Sequence, residues 1–258
     1  MKRTLTNVDP AKFPAPFRPL LEAAAVYDSS CSPEARVWFL DNGEGFYLKS
    51  APRGTLQKEA DLNRFYHQKG LGPEVLAYES LESDWLLTRR IPGEDCLSYM
   101  DDPVRLCDLT AELLRMLHDT CPTGCPVDHT AAYVATARKN YQNGHYDSSL
   151  FPDNWGYASA EEAWKVVEEN VKYFKTDTLL HGDYCLPNIM LDSWRFSGFI
   201  DLGNGGMGDR HVDLFWGIWS LGFNLKTDRY RNRFLDAYGR ELVNEEMFPI
   251  IKAFEVFG

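Results

Sequence analysis

Apolar positions change period along this 258-residue chain, and the change separates two kinds of structure. Residues 35–41 (ARVWFLD) and 45–51 (GFYLKSA) are aromatic and β-branched runs around Asp41-Asn42-Gly43-Glu44, a turn composition that predicts a hairpin. In residues 55–72, Leu56, Ala60, Leu62, Phe65 and Tyr66 recur at near-helical spacing. Glu59 falls in the first turn, and Gly70 and Gly72 close the segment, so one helix is expected to cross the small sheet. EVLAYE (74–79) and DWLLTRR (84–90) predict two further strands, which Pro92-Gly93 ends. Beyond this point Leu106, Leu109, Leu113, Leu114 and Leu117 share one helical face. Residues 128–143, residues 159–174 and three segments after Val212 also read as helices. The pattern predicts an α+β protein with a β-rich lobe over 1–91 and a larger, mainly helical lobe over 92–258. Residues 178–202 interrupt the helical part with short apolar runs and polar turns, the texture of strand ends that present functional side chains from loops.

Composition narrows the class. A chain that is 44% hydrophobic and 25% charged, with no apolar run of membrane-spanning length, is neither disordered nor a multi-span membrane protein. The net charge of −11 is unevenly placed: residues 1–91 carry 12 basic and 12 acidic side chains, residues 92–258 carry 15 and 26. That field repels a nucleic-acid backbone and attracts cationic small molecules, although an acidic surface also serves solubility alone. Six scattered cysteines in a chain of ordinary size read as reduced thiols, and the start MKRTLTNVDPAKFPAPF lacks the apolar run of a signal peptide. A cytoplasmic protein, neither exported nor anchored to a membrane, is expected.

The chemistry concentrates in the interrupted segment. Asp183 follows His181-Gly182, Asn188 follows five residues later, and Asp201 begins Asp-Leu-Gly after a short hairpin. One carboxylate to face an attacking hydroxyl and two hard oxygen ligands for magnesium are what a Mg-nucleotide kinase requires. The competing reading is that both acids cap turns. Lys49 shares a strand with Phe46 and Leu48, which fall on the opposite pleat face, so its ammonium can point away from the buried side.

HGDYCLPNIML followed by FIDLGNGGMGDRHVDL closely resembles the aminoglycoside phosphotransferases, especially their 3'-phosphotransferase branch, whose fold is similar to that of eukaryotic protein kinases. SSCSPEARVWFL, GFYLK, WLLTRRIPG, LLRMLHD and FEVF have family counterparts in the same order. The resemblance implies a two-lobed protein-kinase-like fold with ATP and Mg2+ as cofactors. It makes Asp183 the catalytic base, Asn188 and Asp201 the magnesium ligands, and Lys49 the phosphate contact with Glu59 as its ionic partner. It also implies nucleotide binding by the loop at Ser29 and Ser30 and by backbone groups at Arg89 and Ile91. Asp153, Glu255 and Phe257 become substrate contacts.

The chain departs from the family at two places. Gly156, Tyr157, Ala158 and Ser159 stand where an acidic run usually follows Asn-Trp, and Asn204 replaces an arginine frequent after Asp-Leu-Gly. The resulting expectation is ATP-dependent phosphorylation of a cationic aminoglycoside at its 3'-hydroxyl, with antibiotic resistance as the outcome. The alternatives are a kinase for another hydroxylated small molecule and a nucleotide-binding module without catalysis. His118, Cys121, Cys125 and His129 form H-x2-C-x3-C-x3-H, four potential zinc ligands at a spacing outside the common zinc modules. Asp209, Arg210 and Asp213, next to His211, could form a second acid-base cluster, but the resemblance implies that this stretch supports the catalytic loop and starts a helix.

Overall fold

The computed structural model describes residues 3–31, 33–150 and 155–258. In chain order the strands are β1 (Thr4–Leu5), β2 (Ala25–Asp28), β3 (Arg36–Asp41), β4 (Phe46–Pro52), β5 (Val75–Ser80), β6 (Ser83–Arg89), β7 (Glu94–Asp95), β8 (Thr178–Leu180), β9 (Ile189–Asp192), β10 (Arg195–Phe199) and β11 (Gly206–Gly208). The α-helices are α1 (Arg18–Glu22), α2 (Gln57–Gln68), α3 (Pro103–Asp119), α4 (His129–Gln142), α5 (Ala160–Asn170), α6 (His211–Leu225), α7 (Arg231–Tyr238) and α8 (Met247–Glu255). These elements fall into two compact units. One contains the chain up to Ser98 together with Pro187–Gly203; the other contains Tyr99–Leu186 and Asn204–Gly258. No described helix is long and apolar enough to cross a membrane.

In the first unit an antiparallel sheet runs β1-β2-β3-β4-β6-β5. The expected hairpin is β3–β4, with Arg36 opposite Ser50 and Leu40 opposite Phe46. Its turn is held by Asn42, whose Oδ1 accepts from the N–H groups of Glu44 and Gly45 at 3.3 Å. Phe46 and Leu48 enter a core with Phe13, Phe17, Leu21, Val26, Leu40 and Leu87, each contributing about 1.5–3 kcal/mol by burial. The pleat therefore directs Lys49 to the other face. Strands β1 and β2 are not announced by the apolar pattern, because β1 is only two residues long and exposed throughout.

Helix α2 has no side-chain cap at its own N-terminus. Its start is held by Asp84 of β6, wholly buried, which accepts from the Leu56 N–H at 2.9 Å and from the Ser80 hydroxyl at 2.7 Å. Burial alone would raise the pKa of Asp84, but the converging donors win and hold it at about 2. A second small sheet, β10-β9-β7, draws residues 187–203 into this unit, with Glu94 opposite Leu191 and Asp95 opposite Met190. The approach is so close at Gly93 (φ +90°) that a Cβ would lie 2.1 Å from the Leu191 carbonyl oxygen.

The second unit is helical apart from the antiparallel pair β8–β11, in which Leu180 faces Gly206. Asp102, Asp128 and Ser159 cap α3, α4 and α5 by accepting from the N–H groups of Arg105, Ala131 and Glu162. The apolar stripe of α3 buries Leu106, Leu113, Leu114 and Leu117, and this helix packs on α6, α7 and β8. Around α8, the side chains of Ala137, Trp164, Val167, Phe254 and Phe257 form a separate core.

Candidate active site

Lys49, Glu59, Asn188 and Asp201 all lie within the first unit. Lys49 Nζ donates to Glu59 Oε2 at 2.8 Å and to Asp201 Oδ1 at 3.3 Å, so β4, α2 and the segment after β10 each supply one charge. Burial alone would lower the pKa of Lys49, but Glu59 and then Asp201 outweigh it and keep the ammonium protonated. The Lys49 and Glu59 side chains are 22% and 12% exposed, so this is a largely desolvated pair rather than a surface ion pair. Asp201 is held at φ 58°, a left-handed conformation unusual for aspartate, and its side chain is 58% exposed. Asn188 is buried, and its carbonyl oxygen accepts from the Ile200 N–H at 3.0 Å, which ties the two proposed metal ligands into one local framework. Both offer hard oxygen atoms, the donor type magnesium takes.

The loop at Ser29 and Ser30 is organised by its own side chains. Asp28 Oδ1 accepts from the Ser30 N–H at 2.9 Å, Ser30 Oγ accepts from the Val37 N–H at 3.0 Å, and the Ser29 N–H donates to the Val37 carbonyl at 2.9 Å. Ser29 is buried. This bracing gives a glycine-free loop a defined turn. Arg89 lies at the end of β6, where its side chain pairs with Glu44 at 2.6 Å and Glu74 at 2.9 Å and its N–H donates to the Glu74 carbonyl at 2.9 Å. Ile91 is buried, with Cδ1 packed over Gly198.

Asp183 belongs to the second unit and follows β8. Its loop hangs on Asp213, a fully buried residue in the first turn of α6. Asp213 Oδ2 accepts from the His181 N–H at 2.7 Å, and Oδ1 accepts from the Gly182 N–H at 2.8 Å. The Asp183 N–H then donates to His181 Nδ1 at 3.3 Å, and Ser220 Oγ of α6 accepts from the Leu186 N–H at 2.9 Å. Gly182 adopts φ +81°, and a Cβ there would come within 2.0 Å of the Asn204 carbonyl oxygen, so the sharp turn before Asp183 requires glycine. Cys185, inside this loop, has its thiol pKa pushed up by burial and by the Asp183 carboxylate, the opposite of what a nucleophile needs.

In the same unit, Glu255 Oε1 at the end of α8 accepts from the Tyr133 hydroxyl at 2.6 Å and from the Trp216 indole N–H at 3.2 Å. Burial outweighs these donors, and with the Asp183 carboxylate raises the Glu255 pKa to about 7. Phe257, expected as a substrate contact, has 0% exposure and packs edge-on against Tyr141 and Trp164. Its ring is a packing element of the α8 core, because no face is left for a ligand. Asp153 lies outside the described residues. Where the acidic run is absent, Glu162 is committed to the start of α5: its N–H donates to Ser159 Oγ at 3.3 Å while its carboxylate accepts from the Ala158 N–H at 2.7 Å.

Two supporting residues escape sequence reasoning. Asp84 stands in an apolar strand, where an isolated acid is a usable signal; Tyr133 stands in a helix of ordinary composition and gives none. His118 of the zinc-like motif is engaged elsewhere, with Nε2 3.2 Å from Asp213 Oδ2 and Nδ1 2.8 Å from the Tyr238 hydroxyl.

Residues 32–248 match the phosphotransferase enzyme family. The chain is 45% identical over 264 residues to a probable aminoglycoside 3'-phosphotransferase of Lactococcus lactis, covering 100% of this chain and 99% of the relative. In structure it is similar to an aminoglycoside-3'-phosphotransferase of type VIII, with a TM-score of 0.76, 24% identity, and coverage of 92% of this chain and 94% of that one. It is also similar to the aminoglycoside phosphotransferase APH(3'')-Id of Streptomyces rimosus in complex with ADP and streptomycin. That match has a TM-score of 0.72 at 22% identity and covers 93% of this chain and 97% of that one. The fold is thus the α+β, kinase-like fold of these enzymes.

Proposed function

The chain belongs to the phosphotransferase enzyme family, and on that premise we propose that it transfers the γ-phosphoryl group of ATP to the 3'-hydroxyl of an aminoglycoside. The observation that carries this reading is the division of charge. Lys49, held between Glu59 and Asp201, supplies a fixed cation for phosphate oxygens, whereas Asp183 and Glu255 supply carboxyl groups for a hydroxylated polyamine. The 45% identical relative is named for 3'-transfer, and the Streptomyces rimosus structure is described as a complex with ADP and streptomycin, which supports nucleotide and aminoglycoside as the two substrates.

In this reading Asp183 orients the acceptor hydroxyl and takes its proton as the new oxygen–phosphorus bond forms and the bond to the leaving ADP breaks. Lys49 holds phosphate charge that the loose transition state redistributes. Asn188 and Asp201 would hold magnesium, which when bound neutralises charge on the phosphate oxygens. The braced turn at Ser29 and Ser30 and the backbone near Arg89 and Ile91 belong to the nucleotide side. The residues over 1–91, with Asn188 and Asp201, chiefly serve ATP, and the rest of 92–258 chiefly serves the acceptor. Use of ATP fits a cytoplasmic reaction whose product is a modified, less cationic antibiotic, and hence resistance.

The test is ATP consumption by the purified protein with magnesium and two aminoglycosides that differ at the 3' position, such as kanamycin and its 3'-deoxy counterpart tobramycin. Turnover with the first and not the second is expected. Equal turnover with both would move the site of transfer away from the 3'-hydroxyl, and turnover with neither would refute the acceptor class.

A further inference from the structure

The catalytic loop hangs on Asp213, and Asp213 is itself held from behind by a hydrogen-bond chain whose direction can be assigned atom by atom. The Asp213 carboxylate accepts two backbone N–H groups, from His181 and Gly182, and is ionised; burial opposes this, but His118 and those donors outweigh it. A carboxylate only accepts, so His118 Nε2, 3.2 Å from Asp213 Oδ2, must carry the hydrogen of that bond. Burial dominates at His118 and lowers its pKa, so the ring is neutral and Nδ1 holds a lone pair. That lone pair faces the Tyr238 hydroxyl at 2.8 Å, and the hydroxyl must therefore donate. The hydroxyl oxygen is left to accept, and Arg210 Nη1 stands 3.4 Å away. The chain thus runs from Arg210 through Tyr238 and His118 to Asp213, every polar contact in it pointing the same way.

Both ends of this chain matter to the loop. Arg210 precedes α6, Tyr238 ends α7, and His118 lies in the last turn of α3, so three helices meet on one imidazole. His118 and Tyr238 are almost wholly buried, and their rings also meet edge to face with centroids 5.6 Å apart. No solvent-facing alternative is open to either group, which fixes the tautomer and the plane of the imidazole.

We propose that Tyr238 is a positioning residue for phosphoryl transfer: its hydroxyl locks the His118 ring so that Nε2–H is aimed at Asp213, and Asp213 in turn sets the backbone that presents Asp183. The inference rests on the reading of Asp183 as the base. Without the hydroxyl, the Nδ1 lone pair is buried without its donor, and the ring either turns or takes up a proton. Turning the ring breaks the directed bond to Asp213, and protonating it replaces that bond with an ion pair; either change resets how Asp213 is held without altering any residue assigned to ATP or to the acceptor.

The decisive variant is Tyr238→Phe, which keeps the ring and its packing. Folding is monitored by circular dichroism melting. Steady-state kinetics should show kcat lower by about tenfold, a fraction of the 10²-fold that a 1 Å misplacement costs, with KM for ATP and for the aminoglycoside unchanged. Imidazole 15N spectra should show His118 as a single Nε2–H tautomer with a hydrogen-bonded Nδ1 in the parent. In Tyr238→Phe the Nδ1 signal should shift and the Nε2 proton should exchange faster with water. On a His118→Gln background, Tyr238→Phe should add no further loss of kcat, because the group it acts through is gone. A folded Tyr238→Phe protein with kcat within about twofold of the parent and an unchanged His118 spectrum overturns the proposal. So does a full tenfold loss that persists on the His118→Gln background. If the parent turns over no aminoglycoside, the functional reading fails separately, and the His118 spectra still decide whether Tyr238 holds the ring.

Discussion

The two units treat charge in opposite ways. In the first, Lys49 is matched by Glu59 at 2.8 Å and Asp201 at 3.3 Å, so a partly buried cation is stabilised before any ligand arrives. In the second, Glu255 is buried among the neutral donors Tyr133 and Trp216; burial outweighs them and, with a smaller push from the Asp183 carboxylate, raises its pKa to about 7. A compensated cluster is stable by itself and offers geometry to an anion that carries its own counter-ions. A buried carboxyl without a cationic partner ionises only at a cost, and it either keeps its proton or gains a cation. The difference makes the unit that holds Glu255 the more sensitive to pH.

The largest test of that contrast is Asp183→Asn, which should lower kcat about 10³-fold with KM for ATP nearly unchanged, as initial-rate kinetics would show. A parallel collapse of ATP affinity would mean that the two sides are not separable. Lys49→Ala should come next, lowering kcat/KM for ATP about 10²-fold through loss of one fixed charge. Acceptor binding, measured calorimetrically without ATP, should stay the same.

Glu255→Gln should raise the acceptor KM about tenfold at pH 8 and much less at pH 6, because the parent carboxyl is mostly protonated there. Above the unfolded carboxyl value near 4.5 and up to about 7, the folded protein holds a proton that the unfolded chain has lost, so this group's contribution to stability falls as pH rises. Thermal melts should therefore show Glu255→Gln gaining on the parent between pH 5 and pH 8, and parallel pH profiles for both proteins would contradict the elevated pKa. The smallest effect is expected at Ser30→Ala, where loss of the acceptor for the Val37 N–H should cost about 1 kcal/mol in denaturant melts and raise KM for ATP by only about threefold.

Elements with strong periodicity are legible in the chain's apolar pattern. The β3–β4 hairpin, α2 and the apolar face of α3 lie where their patterns place them, because burial of one face dominates their local energetics. The short strands β1, β7 and β11 are not legible, since two or three residues carry no period and exist only through a partner strand. Phe257 shows the same limit at the level of one side chain. Its position suggests a ligand contact, but Tyr141 and Trp164 enclose it.

By itself the sequence determined the identity and order of the chemical groups: an acid after His-Gly, an amide five residues on, an acid opening Asp-Leu-Gly, and a lysine on an alternating strand. It could do so because those groups are set by local spacing. The tertiary structure alone decided which groups share an environment. It drew residues 187–203 into the first unit through β7–β9 pairing, set Asp84 as the cap of α2, and hung the Asp183 loop on Asp213. Those relations join residues far apart in the chain, and their energies come from burial and directed hydrogen bonds that exist only once the elements have packed.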